Sequence, residues 1–316
     1  MKHDFMWGEL LHLSTNFWYE DDGIGHGEHK NLWEIPASNE LRLDKKVWDD
    51  HIDHLKRAGA NTLIIDLGDG VVYDSHPEIA VKGAWTKQYL LDEIKRLEDM
   101  GFEILPKLNF STTHDYWLKD YAKMVSTPTY YKVCKDLIDE VCEMFNHPRY
   151  FHIGMDEETY EMQEHYNYVV IRQNDLWWSD LYKIISWVEA NGARPIMWTD
   201  YMRHKPEEFV QKCPKSVIAC NWYYFNEFGD NISPENEIRV KPFKILEEHG
   251  FDQIPGGNAH YFKDNLDLLT KYCSENISKE HLLGFLQTSW VMMTDPWRDE
   301  LSDCAEAIAR SKKLLN

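Results

Sequence analysis

The stretch RYFHIGMDEETY (residues 149–160) runs an apolar segment into a histidine and a glycine and then sets three carboxylates in a row. Adjacent acids repel one another, so Asp156, Glu157 and Glu158 belong where a buried strand emerges. Read that way, YFHIG (150–154) is the fourth of eight short β-rich runs. The others are 6–13, 61–66, 102–108, 194–198, 216–221, 251–257 and 282–288. Helical segments alternate with them. Residues 44–58 set Val47, His51, Ile52, Leu55 and Ala58 on one face at helical spacing. Thr127-Pro128 reads as an N-cap with proline at the first helical position and opens a helix to about Phe145. The run NDLWWSDLYKIISWVEANG stops at Gly192, and DELSDCAEAIARSKKLLN closes the chain.

Eight strands, each followed by a helix-sized segment, predict an α/β fold: a single (β/α)8 TIM barrel over residues 1–316. No phosphate-binding glycine motif follows the first strand. Helix-to-strand turns such as AGA and NHPR are brief, whereas the strand-to-helix loops 14–43, 67–88, 155–173 and 222–239 are long. Barrel sites are built from the long kind, so the working end is the one where the strands exit.

The 34 basic residues against 54 acidic ones give a net charge of −20, which repels a phosphate backbone and argues against nucleic acid as a partner. Six cysteines without a C-x-x-C pair read as small buried hydrophobes, although a disulfide stays open. No run approaches a membrane span, so no membrane insertion is expected. The opening MKHDFMWGELLHL lacks the form of a signal peptide, which makes the chain cytoplasmic as it stands. A periplasmic or secreted protein would follow if a signal had been removed. The oligomeric state is left open.

At the strand exits stand His12 and Asn16; Asp66 and Asp69; Asn109 and His114; the acid trio with His152 just before it; Trp198 and Asp200. Asn221, Trp222 and Tyr223, then Asn258, His260 and Tyr261, and finally Trp290 complete the set. Trp18, Trp33, Trp85, Trp117 and Trp297 also fall in loops. Carboxylates, amides and large rings together suit a carbohydrate, which offers hydroxyls to the polar groups and a C–H face to the rings. The plainer reading gives Asp156 to a helix cap and Glu157 and Glu158 to the first helical turn. In the chemical reading, neighbouring side chains diverge, and like charge with burial raises one carboxyl into the range of a general acid.

His152-x-Gly154-x-Asp156-Glu157 resembles the H-x-G-x-D-E signature of family 20 glycoside hydrolases, the β-N-acetylhexosaminidases. The resemblance implies a retaining, substrate-assisted mechanism on an exo-acting barrel, in which the substrate's 2-acetamido oxygen attacks the anomeric carbon. It casts Asp156 as the orienter of that group and Glu157 as general acid/base, with no cofactor, and leaves Glu158 to start the next helix. PIMWTDYM is similar to the family's fifth-strand segment, making Trp198 a wall of the acetamido pocket, and Trp290 is similar to the tryptophan under the sugar. Either Tyr223 or Tyr261 is to donate to the acetamido oxygen, and His114 is to support the acid. The sequence departs from the family in having no arginine in HLSTNFW, Val-Met-Met after Trp290, and no accessory domain before the barrel. Three other readings stand beside this one. They are a glycosidase pairing Glu157 with Asp66, Asp69 or Asp200, a catalytically silent sugar-binding barrel, and a metal-dependent hydrolase using His12, His114, His152 or His260. No metal-binding spacing supports the last.

Overall fold

The computed structural model describes residues 2–17, 36–163, 166, 168–229 and 232–315. Eight parallel strands form the barrel: β1 (Met6–His12), β2 (Thr62–Asp66), β3 (Glu103–Lys107), β4 (Tyr150–His152), β5 (Arg194–Trp198), β6 (Ile218–Cys220), β7 (Gly256–Gly257) and β8 (Gly284–Thr288). The sheet order is β6-β5-β4-β3-β2-β1-β8-β7, and parallel bridges Ala219–Gln253 and Trp222–Gly256 join β6 to β7. The α-helices longer than one turn are α1 (Lys45–Ala58), α2 (Lys87–Asp99), α3 (Pro128–Met144), α4 (Asn174–Ala190), α5 (Pro206–Lys212), α6 (Pro234–Glu248), α7 (Asn265–Asn276) and α8 (Arg298–Leu314), and a single helical turn, Tyr201–His204, follows β5.

Local chemistry explains the boundaries. Asp44 caps α1 by accepting from the Lys46 and Val47 amides, and Gly59 ends it in the left-handed region. Thr127 accepts from the Tyr130 amide ahead of Pro128, as the sequence predicts. Two expectations need correction. The segment 67–88 is not all loop, because Val71–Val72 pairs in parallel with Trp85–Thr86. No helix starts at Glu158 either: among the described residues, a short 3-10 turn stands at Glu161–Gln163, and α4 begins at Asn174. All six cysteines are buried and free. Among the described residues, no helix is long and apolar enough to cross a membrane.

The strand register sets four polar residues in one row, because His12 pairs with Asp66, Asp66 with Lys107, and Lys107 with His152. All four are essentially inaccessible. Lys107 bonds Asp66 directly, and His12 Nδ1 stands 3.7 Å from the same carboxylate. Burial would push the Asp66 carboxyl up, but the Lys107 ammonium and His12 outweigh it and hold it below the usual range. Burial depresses both histidines, more strongly at His152, where Lys107 adds to the effect. The row is thus one ion pair flanked by two neutral imidazoles, and it underlies the mouth of the barrel.

Removing one partner of such a pair leaves an uncompensated charge. Lys107→Met is expected to destabilise the fold by about 3–5 kcal/mol in urea unfolding at neutral pH, and Lys107→Met with Asp66→Asn by clearly less. Because the Asp66 carboxyl is depressed on folding, its contribution in the wild type is present above about pH 4. It is lost as pH falls through the lower folded value.

Candidate active site

The site begins at the turn after β4. Strand β3 continues beyond its ladder, with the Phe110 amide donating to Ile153 O at 3.1 Å, and this lays Asn109 against Gly154. A Cβ on Gly154 would come within 2.8 Å of Asn109 Cα and closer still to its amide, and Gly154 has φ +73°. Only glycine meets both demands. Met155 (φ +75°) and Glu157 (φ +48°) also take left-handed backbone, a costly conformation that surrounding contacts must hold. They do. Asn109 Oδ1 accepts from the Met155 amide at 3.2 Å and the Ser111 amide at 3.0 Å, while its Nδ2 donates to Asp156 Oδ1 at 2.8 Å. Ser111 and Thr113 hydroxyls donate to the Asp156 carbonyl.

His114 Nε2 lies 3.3 Å from Asp156 Oδ2 and 3.4 Å from Glu157 Oε2, so one imidazole joins the two acids. The Asp156 side chain is 8% exposed and the Glu157 side chain 33%. Burial works against charge on His114, yet the neighbouring Asp156 and Glu157 raise it above its ordinary value. Burial likewise pushes Glu157 up, but the His114 hydrogen bond and the His114, Arg203 and Arg239 charges pull it below the usual carboxylate range.

Glu158 does different work. Both its oxygens accept from Arg172 at 2.9 Å, and its Oε1 also takes the Arg172 amide at 3.0 Å. Arg172 reaches on to Phe110 O at 2.6 Å and to Asp180 at 3.5 Å. This buried clamp ties Glu158 to Arg172 and both to the β3 exit, which is the physical reason the acids do not open a helix.

Asp200 completes the carboxylates of the mouth. Trp222 Nε1 donates to its Oδ2 at 3.0 Å, and Arg203 Nη1 pairs with its Oδ1 at 3.0 Å. Burial, with Glu157 and Asp156 nearby, raises it to about 6 despite Arg203. Rings continue from there. The Arg203 guanidinium lies 3.8 Å over Trp222, Trp222 stacks on Tyr224 at 4.7 Å, Tyr224 OH accepts from Trp290 Nε1 at 3.0 Å, and Trp290 faces His12 at 4.8 Å. Tyr261 flanks Tyr224 at 5.9 Å and His260 flanks Tyr261 at 5.1 Å. Trp198 is buried against His152 at 4.5 Å. Sequence reasoning missed Tyr224. Tyr223 spends its hydroxyl on Glu227 O at 2.8 Å and packs on Phe225 and Phe228. The signal was strand alternation: in NWYYFN, neighbours point to opposite faces, so only one of the two tyrosines can share the side of Trp222.

The remaining candidates are structural in their contacts. Asp66 is spent on Lys107, and Asp69 is buried, accepts from Ser14 and Asn16 at 2.6 Å each, and is raised by burial to about 6. Neither offers an accessible base to Glu157. Asn221 donates to Arg239 O and Asn258 accepts from the His260 and Tyr261 amides. Trp117 donates to Asn109 O at 3.0 Å, Trp85 packs edge-on against Trp48, and Trp297 lies near His260, so these loop tryptophans pack the framework. Trp18 and Trp33 lie outside the described residues. Among the described residues, no group of three or more His, Cys, Asp or Glu side chains is arranged to hold a metal ion.

Fold and site together give a parallel (β/α)8 barrel with an acid pair among stacked rings at the strand exits. Residues 93–233 match the family model described as glycosyl hydrolase family 20, catalytic domain, a stretch that contains the acid trio, His114, Trp198, Asp200 and Trp222. The likeness to family 20 is shown over that stretch. A comparison with curated proteins gives no match. Among solved structures, the chain is similar to a chitobiase of Flavobacterium johnsoniae, at 18% identity and TM-score 0.62 over 87% of this chain and 47% of that one. It is similar to a β-N-acetylhexosaminidase of Bacteroides fragilis, at 14% identity and TM-score 0.65 over 96% of this chain and 65% of the other. For the family 20 β-N-acetylhexosaminidase of Streptomyces coelicolor the figures are 14%, 0.63, 96% and 64%. The chain thus spans about half to two thirds of the length of these structures. At these identities the likeness is one of fold.

The Asn109–Gly154 contact yields a measurable difference. Gly154→Ala is expected to cost more than about 2 kcal/mol in urea unfolding, from the left-handed backbone and the collision together. Gly192→Ala, at φ +82° with open space around its Cβ, serves as the control that pays only the backbone cost, about 1 kcal/mol.

Proposed function

We propose that the protein is a retaining β-N-acetylhexosaminidase that works by substrate assistance. The observation that carries this reading is the single imidazole of His114 reaching both Asp156, which is buried, and Glu157, which is more exposed. Asp156, buried and fixed by Asn109, orients a 2-acetamido group so that its oxygen attacks the anomeric carbon. Glu157, more exposed, protonates the leaving oxygen and later takes a proton from water. The rings of Trp222, Tyr224 and Trp290 supply the apolar surface that a pyranose face requires, and the Tyr224 hydroxyl stands as a donor beside it.

The proton account follows from coupling. His114 and Glu157 hold one mobile proton between them, resting on His114 in the free protein and moving to Glu157 when a sugar covers it. The competent form persists until the pair loses that proton at the raised His114 value. On a β-N-acetylglucosaminide, kcat/KM is therefore expected to fall as pH rises, with its alkaline limb above about 6.5. In His114→Gln the limb belongs to Glu157 alone and moves to lower pH; an unmoved limb contradicts the coupling.

The reading is tested with a paired substrate series. Glu157→Gln is expected to lower kcat/KM on an alkyl β-N-acetylglucosaminide by about 10²–10⁴-fold, and far less on the 4-nitrophenyl glycoside, whose leaving group needs little protonation. Asp156→Asn is expected to reduce both. A second reading has one observation in its favour: Asp200, raised to about 6, borders the same cavity as Glu157. It makes Asp200 the second carboxylate, and it would be preferred if glycosides without a 2-acetamido group were cleaved as well as those with one.

A further inference from the structure

Beside the ring-lined mouth lies a cavity of about 670 Å³ between the loop after β4, the segment after β5 and helix α6. Glu157 and Asp200 line it, whereas Asp156, Tyr224, Trp290 and His12 do not. It therefore adjoins the proposed proton donor without adjoining the rest of the sugar-binding surface. Building on the proposed function, we infer that this cavity seats the leaving-group sugar and selects one that carries an anionic substituent, a carboxylate or a sulfate, through Arg239 and Lys205.

Charge placement is the argument. Four permanent cations line the cavity, Arg172, Arg203, Lys205 and Arg239, in a chain whose net charge is −20. Facing them are Glu157, Glu158, Asp200 and Glu235. Two of these acids are already committed, Glu158 to Arg172 at 2.9 Å and Asp200 to Arg203 at 3.0 Å. Arg239 is held only loosely, 4.0 Å from Glu235, whose side chain is 83% exposed. Its guanidinium lies 5.9 Å from the Trp222 ring and 5.7 Å from Phe225, which aim it without saturating its donors. Lys205 donates to Asn174 Oδ1 at 2.9 Å and lies 3.6 Å from Glu208. The Nε of Arg203 is buried with no hydrogen-bond partner among the described residues. Once Glu157 holds the proton that it must deliver, the four cations face three carboxylates, and the balance of the cavity turns positive. An anionic leaving group enters on that balance. Trp177 and Tyr201, stacked at 4.5 Å, give the cavity an apolar wall for the sugar ring.

The test compares three disaccharides with the same β-N-acetylglucosaminyl unit, linked to glucose, to glucuronate and to glucose 6-sulfate. At low salt, one or both acidic substrates are expected to show kcat/KM about tenfold above the neutral one, and the two acidic arms tell carboxylate from sulfate. The preference is expected to shrink as ionic strength rises and in Arg239→Gln with Lys205→Gln. Equal rates on all three, or a preference that ignores both salt and the double substitution, would overturn the inference. Calorimetric titration of the Glu157→Gln protein with the same disaccharides separates this result from the hydrolase reading. Absence of turnover by the wild type together with tighter binding of an acidic disaccharide would sink the hydrolase reading and keep the cavity assignment. Equal binding of all three would remove the assignment whatever the turnover.

Discussion

The close approach of Gly154 to Asn109 is the constraint from which the rest of the mouth follows. The contact is possible only without a Cβ, and it lets one amide side chain hold two backbone amides and the Asp156 carboxylate at once. The backbone of Met155 and Glu157 is strained, and the fold tolerates it because Asn109, Ser111 and Thr113 fix both sides of the turn. Two neighbouring acids are then held around one imidazole, one buried and one more exposed. A relaxed strand-to-helix turn would have spread them along a helix start, where they would serve only the helix dipole.

Three acids of the region have a cationic partner of their own. Glu158 is neutralised by Arg172 inside the loop, Asp66 by Lys107 beneath the mouth, and Asp200 by Arg203 with a tryptophan donor. Asp156 and Glu157, by contrast, share the one imidazole of His114. Environments that push neighbouring titratable groups apart are how a site assigns an acid and an orienting base to chemically similar side chains. In the proposed reading, the cations beside Glu157 extend the same logic outward, from the bond to be cleaved to the group that leaves.

Much of this was legible from residue order alone. Helix caps at Asp44 and Thr127, eight apolar runs and the asymmetry of the loops lead to the barrel, because each rests on local chemistry. The acid trio could be placed at a strand exit for the same reason. What was not legible depends on partners distant in sequence. Glu158 reads as a helix start until Arg172, fourteen residues on, is seen to claim it. Asp66 reads as a candidate base until the register sets Lys107 beside it. The choice between Tyr223 and its neighbour turns on a one-residue phase in a strand too short to announce its inner face. Tyr224, bonded to Trp290, is the one that joins the ring row.

The central claim is that Asp156 and Glu157 have divergent tasks on one sugar. It is tested most directly by a crystal structure of the protein with a cyclic thiazoline analogue of the bicyclic intermediate that an attacking acetamide would form. The account predicts Asp156 within hydrogen-bond distance of the analogue's ring nitrogen, the Glu157 carboxylate near the face from which the leaving group departs, and the sugar resting against Trp290. An analogue bound away from Asp156, or one whose nitrogen contacts Asp200 instead, would contradict it.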